Sequence, residues 1–317
     1  MKAFVGSGGR GYGLITGSEL TSVTMRTAPF QATHVRKTRR LACAVALVCS
    51  MLAAASASAQ SLQTDHVRAQ LVSEHLALVP GQSMQVGLLL QHEPHWHTYW
   101  MNPGDSGLPT TIEWHPPGGF KAQDIAWPLP KRFDVGGLYN FGYEGEVLLP
   151  VTLAVPADAQ PGTRAHIRAN AKWLVCREEC IPEKASLVLD LPIAVAPAEP
   201  DPRWTKQFAF ARLAQPQATA WKGDARLDGD RVVITLHGAG LPPADGLDAF
   251  ATQKKLFDNK PPAIRKDGDA LIVDAGKSEY FGTSPATVDL VITAPAPAGI
   301  RGWHVQVPFT DASAPAH

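Results

Sequence analysis

Two cysteines, Cys176 and Cys180, lie within the stretch WLVCREECIPE. Paired thiols can make and break a disulfide, and three residues separate these two. In an extended strand, positions four apart lie ~13 Å from each other at a rise of ~3.3 Å per residue. A disulfide needs Cα atoms ~4.4–6.8 Å apart. The pair therefore closes only if the chain turns between the cysteines. A short loop of this kind removes little entropy from the unfolded chain, so it makes a poor structural staple. Reversible exchange and a structural bond both remain open on this evidence. Arg177 favours a nearby thiolate, whereas Glu178 and Glu179 oppose it.

The flanks predict that the turn is a hairpin. RAHIRANAKWLVC alternates, with Ala165, Ile167, Ala169, Ala171 and Trp173 on one parity, and ASLVLDLPI does the same with Leu187, Leu189 and Leu191. Period two marks a half-buried strand. Pro182 argues against a helix through the pair.

Two other clusters attract attention. His92, His95 and His97 are followed by Met101. In a strand His95 and His97 share a face, an arrangement compatible with a soft metal such as copper. The competing reading is a histidine- and tryptophan-rich strand used in packing. The segment GGLYNFGYEGE, residues 136–146, carries Tyr139, Phe141 and Tyr143 between glycines. It reads as a flexible loop, either packed in the ordinary way or serving as a lid over a reactive site. No Ser-His-Asp set, helically spaced carboxylate pair or phosphate-type glycine loop stands out.

The chain has 317 residues, with 29 basic and 29 acidic side chains, which gives no reason to expect nucleic acid as a partner. Arg36, Lys37, Arg39 and Arg40 precede an apolar run from Leu41 and then Ala57-Ser58-Ala59, the pattern of a secretory signal peptide cut after Ala59. Translation is expected to begin at Met25. Cys43 and Cys49 leave with the signal, so the mature chain carries one cysteine pair into an oxidising compartment.

The mature chain is expected to be all-β, with two immunoglobulin-like sandwiches in tandem over residues 60–196 and 203–310. Residues 196–202, APAEPDP, read as a linker. A short helix over 203–213 would turn Trp204, Phe208 and Leu213 to a core. Asp228-Gly229-Asp230 signals a hairpin. Further strands are expected over 270–274, 287–293 and 302–308, in a half that holds no cysteine and reads as a scaffold or docking unit.

HWHTYWMNPGDSGLPT, LYNFGYEGEVLLPVTL and WLVCREECIPE, in that order, resemble the amino-terminal periplasmic domain of the DsbD family of thiol:disulfide interchange proteins. The cysteine spacing and the second β region resemble the ScsB-like, copper-tolerance branch. The resemblance implies a periplasmic dithiol carrier with Cys176 and Cys180 as the redox pair, Cys180 forming mixed disulfides. It makes the loop of Tyr139, Phe141 and Tyr143 a cap. It also implies a thioredoxin-like electron donor and a membrane electron conduit, both on other chains, oxidised periplasmic proteins as acceptors, and no cofactor. The alternatives are a copper-handling protein using the cysteines with His95, His97 or Met101, and a non-catalytic module with a structural disulfide.

Overall fold

The computed structural model describes residues 58–195, 198–297 and 299–310. The expected signal segment up to residue 57, with its start at Met25 and with Cys43 and Cys49, lies outside the described residues, whereas Ser58 and Ala59, just before the expected cut, pair with Asp190 and Leu189. Strands β1 to β6 span Ser58–Ala59, Ser61–Gln63, Val67–Ser73, Ser83–His92, His97–Gly104 and Thr111–His115. Strands β7 to β12 span Lys121–Ile125, Lys131–Val135, Leu138–Glu144, Glu146–Ala154, Arg164–Cys176 and Cys180–Pro192. After helix α1, Thr205–Leu213, come β13 to β16 at Gln217–Ala218, Lys222–Asp228, Arg231–His237 and Asp248–Ala251. Strands β17 to β20 close the fold at Ala263–Asp267, Ala270–Gly276, Thr287–Ala296 and Gly299–Pro308. Among the described residues no helix is long and apolar enough to cross a membrane.

The first half is a sandwich of two sheets. One has the order β1-β12-β11-β5-β9-β8, with β6 also on β11, and the other the order β2-β3-β4-β10-β7. The alternation expected for the cysteine hairpin holds. Ala165, Ile167, Ala169, Ala171 and Trp173 of β11 and Leu187, Leu189 and Leu191 of β12 are all buried. They pack with Val67, Leu71, Leu88 and Leu149 from the facing sheet. The second half repeats the plan with sheets β13-β20-β19-β16 and β14-β15-β18-β17. Its Asp228–Arg231 hairpin turns at Gly229-Asp230, with Gly229 at φ +60, the backbone region a glycine adopts freely.

Three local expectations are corrected. The 196–202 segment is not a free linker where it is described. The Glu199 carbonyl accepts from the Leu76 amide, and the Asp201 amide donates to Glu74. Helix α1 packs on the first sandwich, burying Phe208 and Ala211 against Val72, Leu89 and Leu148, while Leu213 points to solvent. Residues 138–144 form a paired strand and not a flexible loop. The turn of the β8–β9 hairpin lies at Gly136-Gly137, with φ of +63 and +89.

The two halves meet along β5, β8 and β9. The Arg132 guanidinium forms a bidentate pair with Asp248 at 2.6 and 3.0 Å and lies against the rings of both Phe141 and Phe250, 4.7 and 4.8 Å from their centres. Asn102 donates to the Ala251 carbonyl at 2.8 Å. Planar guanidinium suits this combination of fork and stack, which lysine does not reproduce. The second half therefore holds the sub-sheet next to the cysteines.

Candidate functional site

The β11–β12 pairing runs without a shift from Arg164↔Pro192 to Cys176↔Cys180. An antiparallel register of this kind brings paired Cα atoms to ~4.5–5.5 Å. Here the cysteines sit 4.3 Å apart and are joined by a disulfide. Arg177, Glu178 and Glu179 form the exposed tip. The Arg177 guanidinium lies 5.4 Å from the Trp96 ring centre, and Trp96 in turn stacks on His66 at 3.7 Å. The two sulfurs differ in access, since Cys176 is 2 % exposed whereas Cys180 is open to solvent.

Burial of Cys176 follows from its other neighbour. Strand β11 touches β5 through the single pair Cys176↔His97, which puts the His97 and Cys176 side chains on one face. Tyr99, two residues further, shares that face. Its hydroxyl donates to Cys176 Sγ at 2.7 Å and lies 3.2 Å from Cys180 Sγ. Burial, partly offset by a hydrogen bond from Ser106, pushes the Tyr99 hydroxyl pKa up, so it remains a donor at neutral pH. Gly107 makes room for the ring: a Cβ there would fall 2.2 Å from it, and φ is +89. Neither Tyr99 nor Gly107 is singled out by the sequence reading. The period-two spacing of His97 and Tyr99 is the available signal, but it gains meaning only once β5 is known to lie beside β11.

His97 is buried in an edge contact with Tyr99 and stacks on Phe133 at 4.6 Å. Its Nε2 has no hydrogen-bond partner among the described residues. Burial first, and His92 second, lower its pKa to about 4 against a weaker pull from Glu144. His92 itself is tied by the Gly145 carbonyl at 2.7 Å and the Thr98 hydroxyl at 2.9 Å. Its pKa is lowered by burial despite the Gly145 bond.

The remaining expectations fare differently. His95 and His97 do not share a strand face: His95 occupies an exposed turn at φ +71, and β5 begins only at His97. Among the described residues no three His, Cys, Asp or Glu side chains gather as a metal site. Phe141 and Tyr143 are buried, Phe141 edge-on to Phe250 at 5.0 Å and Tyr143 donating to the Pro128 carbonyl at 2.8 Å. Tyr139 is half-buried, and its backbone amide donates to Asp105 at 2.7 Å. Among the described residues no ring contact or hydrogen bond links these three to either sulfur; the hydroxyl against the disulfide belongs to Tyr99.

Residues 68–192 match the family described as thiol:disulfide interchange protein DsbD, N-terminal. Among solved structures the chain is similar to the N-terminal periplasmic domain of ScsB from Proteus mirabilis. That match has 19% identity and a TM-score of 0.58, and covers 78% of this chain and 97% of the other. A protein of unknown function from Porphyromonas gingivalis W83 aligns at 14% identity with a TM-score of 0.22, over 76% and 99% of the two chains. No curated protein sequence matches. The ScsB likeness agrees with the two-sandwich architecture.

Two predictions follow from the geometry. A hydrogen bond to a charged group is worth ~1.5–3 kcal/mol, more than one to a neutral sulfur. Tyr99→Phe should therefore raise the apparent thiol pKa of the reduced pair by about one to two units. The pH dependence of alkylation rate measures this, and an unchanged profile would contradict the role of the hydroxyl. His97 is held neutral, with a folded pKa below its ordinary 6.5. Its contribution to stability is present above pH ~6.5 and is lost as pH falls through about 4. Urea unfolding between pH 7 and 4 should show that His97→Leu removes part of the acid destabilisation, on the order of 2 kcal/mol. Parallel curves for the two proteins would refute this.

Proposed function

We propose that this chain, whose residues 68–192 match the DsbD amino-terminal family of thiol:disulfide interchange proteins, is a periplasmic electron carrier. It takes two electrons from a thioredoxin-like donor, itself supplied through a membrane conduit, and passes them to oxidised periplasmic proteins. The observation that carries this reading is the unequal exposure of two bonded sulfurs at a hairpin tip, Cys180 open and Cys176 covered by Tyr99.

The reduced protein begins with the Cys180 thiolate attacking one sulfur of the acceptor's disulfide. That bond breaks, and the acceptor's other sulfur leaves as a thiolate and takes a proton. Cys176 then loses its proton and attacks Cys180 Sγ, expelling the acceptor's second thiolate. The acceptor ends with two thiols and this chain with the Cys176–Cys180 bond. A donor dithiol reverses the sequence. Tyr99 stabilises negative charge on Cys176 as it forms, because a short donor to a buried thiolate is worth more than one in water. We assign the redox unit to residues 60–196 and a supporting role to residues 203–310, which clamp β8 and the strands beside it through Arg132.

Cys176→Ser should accumulate a mixed disulfide with oxidised acceptors through Cys180, visible on non-reducing gels and reversed by dithiothreitol. Cys180→Ser should trap far less. Equal trapping by the two variants would contradict the assignment of Cys180 as the attacking thiol.

A further inference from the structure

Along β11 and β12, Lys172, Leu174 and Cys176 share one parity, and Lys184, Pro182 and Cys180 share the paired one. All of them point to the outer side of the sheet, and all but Cys176, which Tyr99 covers, are exposed or half-exposed, whereas Trp173, Val175, Glu183 and Ala185 point inward. The disulfide is thus the end of a two-lane strip, not an isolated feature. A groove of about 700 Å³ lies along this strip. Leu108, 60 % exposed, and Pro109 line it from the loop that also seats Gly107 on Tyr99, and Lys254 lines it from the second half.

The charges lining the groove are one-sided. Lys172, Lys184 and Lys254 are exposed, and none forms an ion pair among the described residues. The one carboxylate bordering the groove, Glu183, is turned inward. It accepts from the Thr64 hydroxyl at 2.5 Å and from the His66 amide and Trp173 Nε1, both at 2.9 Å. An apolar floor between three free cations, whose lining residues Leu174 and Pro182 lie two positions along the strands from the cystine, suits a ligand with apolar and acidic side chains. At ~3.3 Å per residue the lysines on β11 and β12 lie ~13 Å from the cystine, the span of four extended residues.

We propose that this groove seats an extended acidic segment of the redox partner, the stretch flanking the cysteine that bonds to Cys180. The partner's apolar side chains lie against Leu108, Leu174 and Pro182. Its carboxylates, about four residues from the cysteine, meet the lysines. The second half thereby contributes directly to partner choice through Lys254. Opposed charge at a docking face chiefly raises the encounter rate and selects among partners. The proposal rests on the exchange reading above, and its test separates the two.

The reduced mature chain is mixed with two disulfide-bridged synthetic peptides of equal length, one with Glu and Leu and the other with Lys and Leu four residues from the cystine. Neutral 2-hydroxyethyl disulfide serves as control. At low ionic strength the glutamate peptide should oxidise the protein about tenfold faster than the lysine peptide, and the advantage should shrink in high salt. In K172E/K184E/K254E the preference should invert, while the rate with 2-hydroxyethyl disulfide stays the same. K121E/K222E/K266E, which makes the same change in net charge at exposed sites outside the groove, should keep the preference. A serine version of the glutamate peptide, which cannot exchange, should still bind the wild type more tightly than the groove variant by fluorescence anisotropy. Equal rates for the two peptides, or the same loss in both triple variants, would overturn the proposal even if exchange itself proceeds. Failure of all three disulfides to react, with the serine peptide still bound in the groove, would overturn the exchange reading and leave the groove standing.

Discussion

Everything at the reactive end depends on one unbroken register. Thirteen residues of β11 face thirteen of β12 without a bulge, and the last pair in that ladder is Cys176 opposite Cys180. Because side chains alternate with period two, a slip of one residue would send every apolar side chain of a strand to the solvent face. The buried set from Ala165 to Trp173 and from Leu187 to Leu191 opposes such a slip. The core thus fixes the geometry of the bond at the tip. Reduction can release the sulfurs without releasing the strands, because the ladder does not depend on the bond.

A second layer of organisation acts on access. The sub-sheet β5-β9-β8 leaves the main sheet just after the Cys176↔His97 pair, and its register with β9 shifts between Tyr99 and Gly104. That departure carries the loop with Gly107 back over the Tyr99 ring. The second half grips the same sub-sheet through Arg132, Phe250 and Asn102. The outcome is one shielded sulfur beside one exposed sulfur, a useful arrangement for a group that must be approached from one side. Neutral His97 beneath Phe133 adds to the shielding without adding charge.

The hairpin was legible because its evidence is local: alternation, a polar tip and a proline against a helix. The β-rich character of both halves and the Gly229 turn were legible for the same reason. Tyr99 was not, since its partner lies 77 residues away and only the sheet order brings them together. The 136–146 stretch misled through its glycines. Gly142 looks like a loop residue, yet a Cβ there would fall 1.9 Å from the Thr98 carbonyl oxygen, so it marks a close approach between paired strands. His95 falls outside strand parity because its positive φ ends the extended chain before β5 begins at His97. Leu213 is solvent-exposed because α1 docks on the first sandwich through Phe208 and Ala211, a choice made by a surface far away in sequence.

The central claim is that a bond between these two sulfurs opens and closes in use. Its most direct measurement is the reduction potential of the mature chain, equilibrated against glutathione buffers and read by alkylation and mass. A shuttling pair should titrate within the range of thiol–disulfide carriers, above about −300 mV. A potential below about −300 mV, where structural disulfides of secreted proteins lie, would contradict the account.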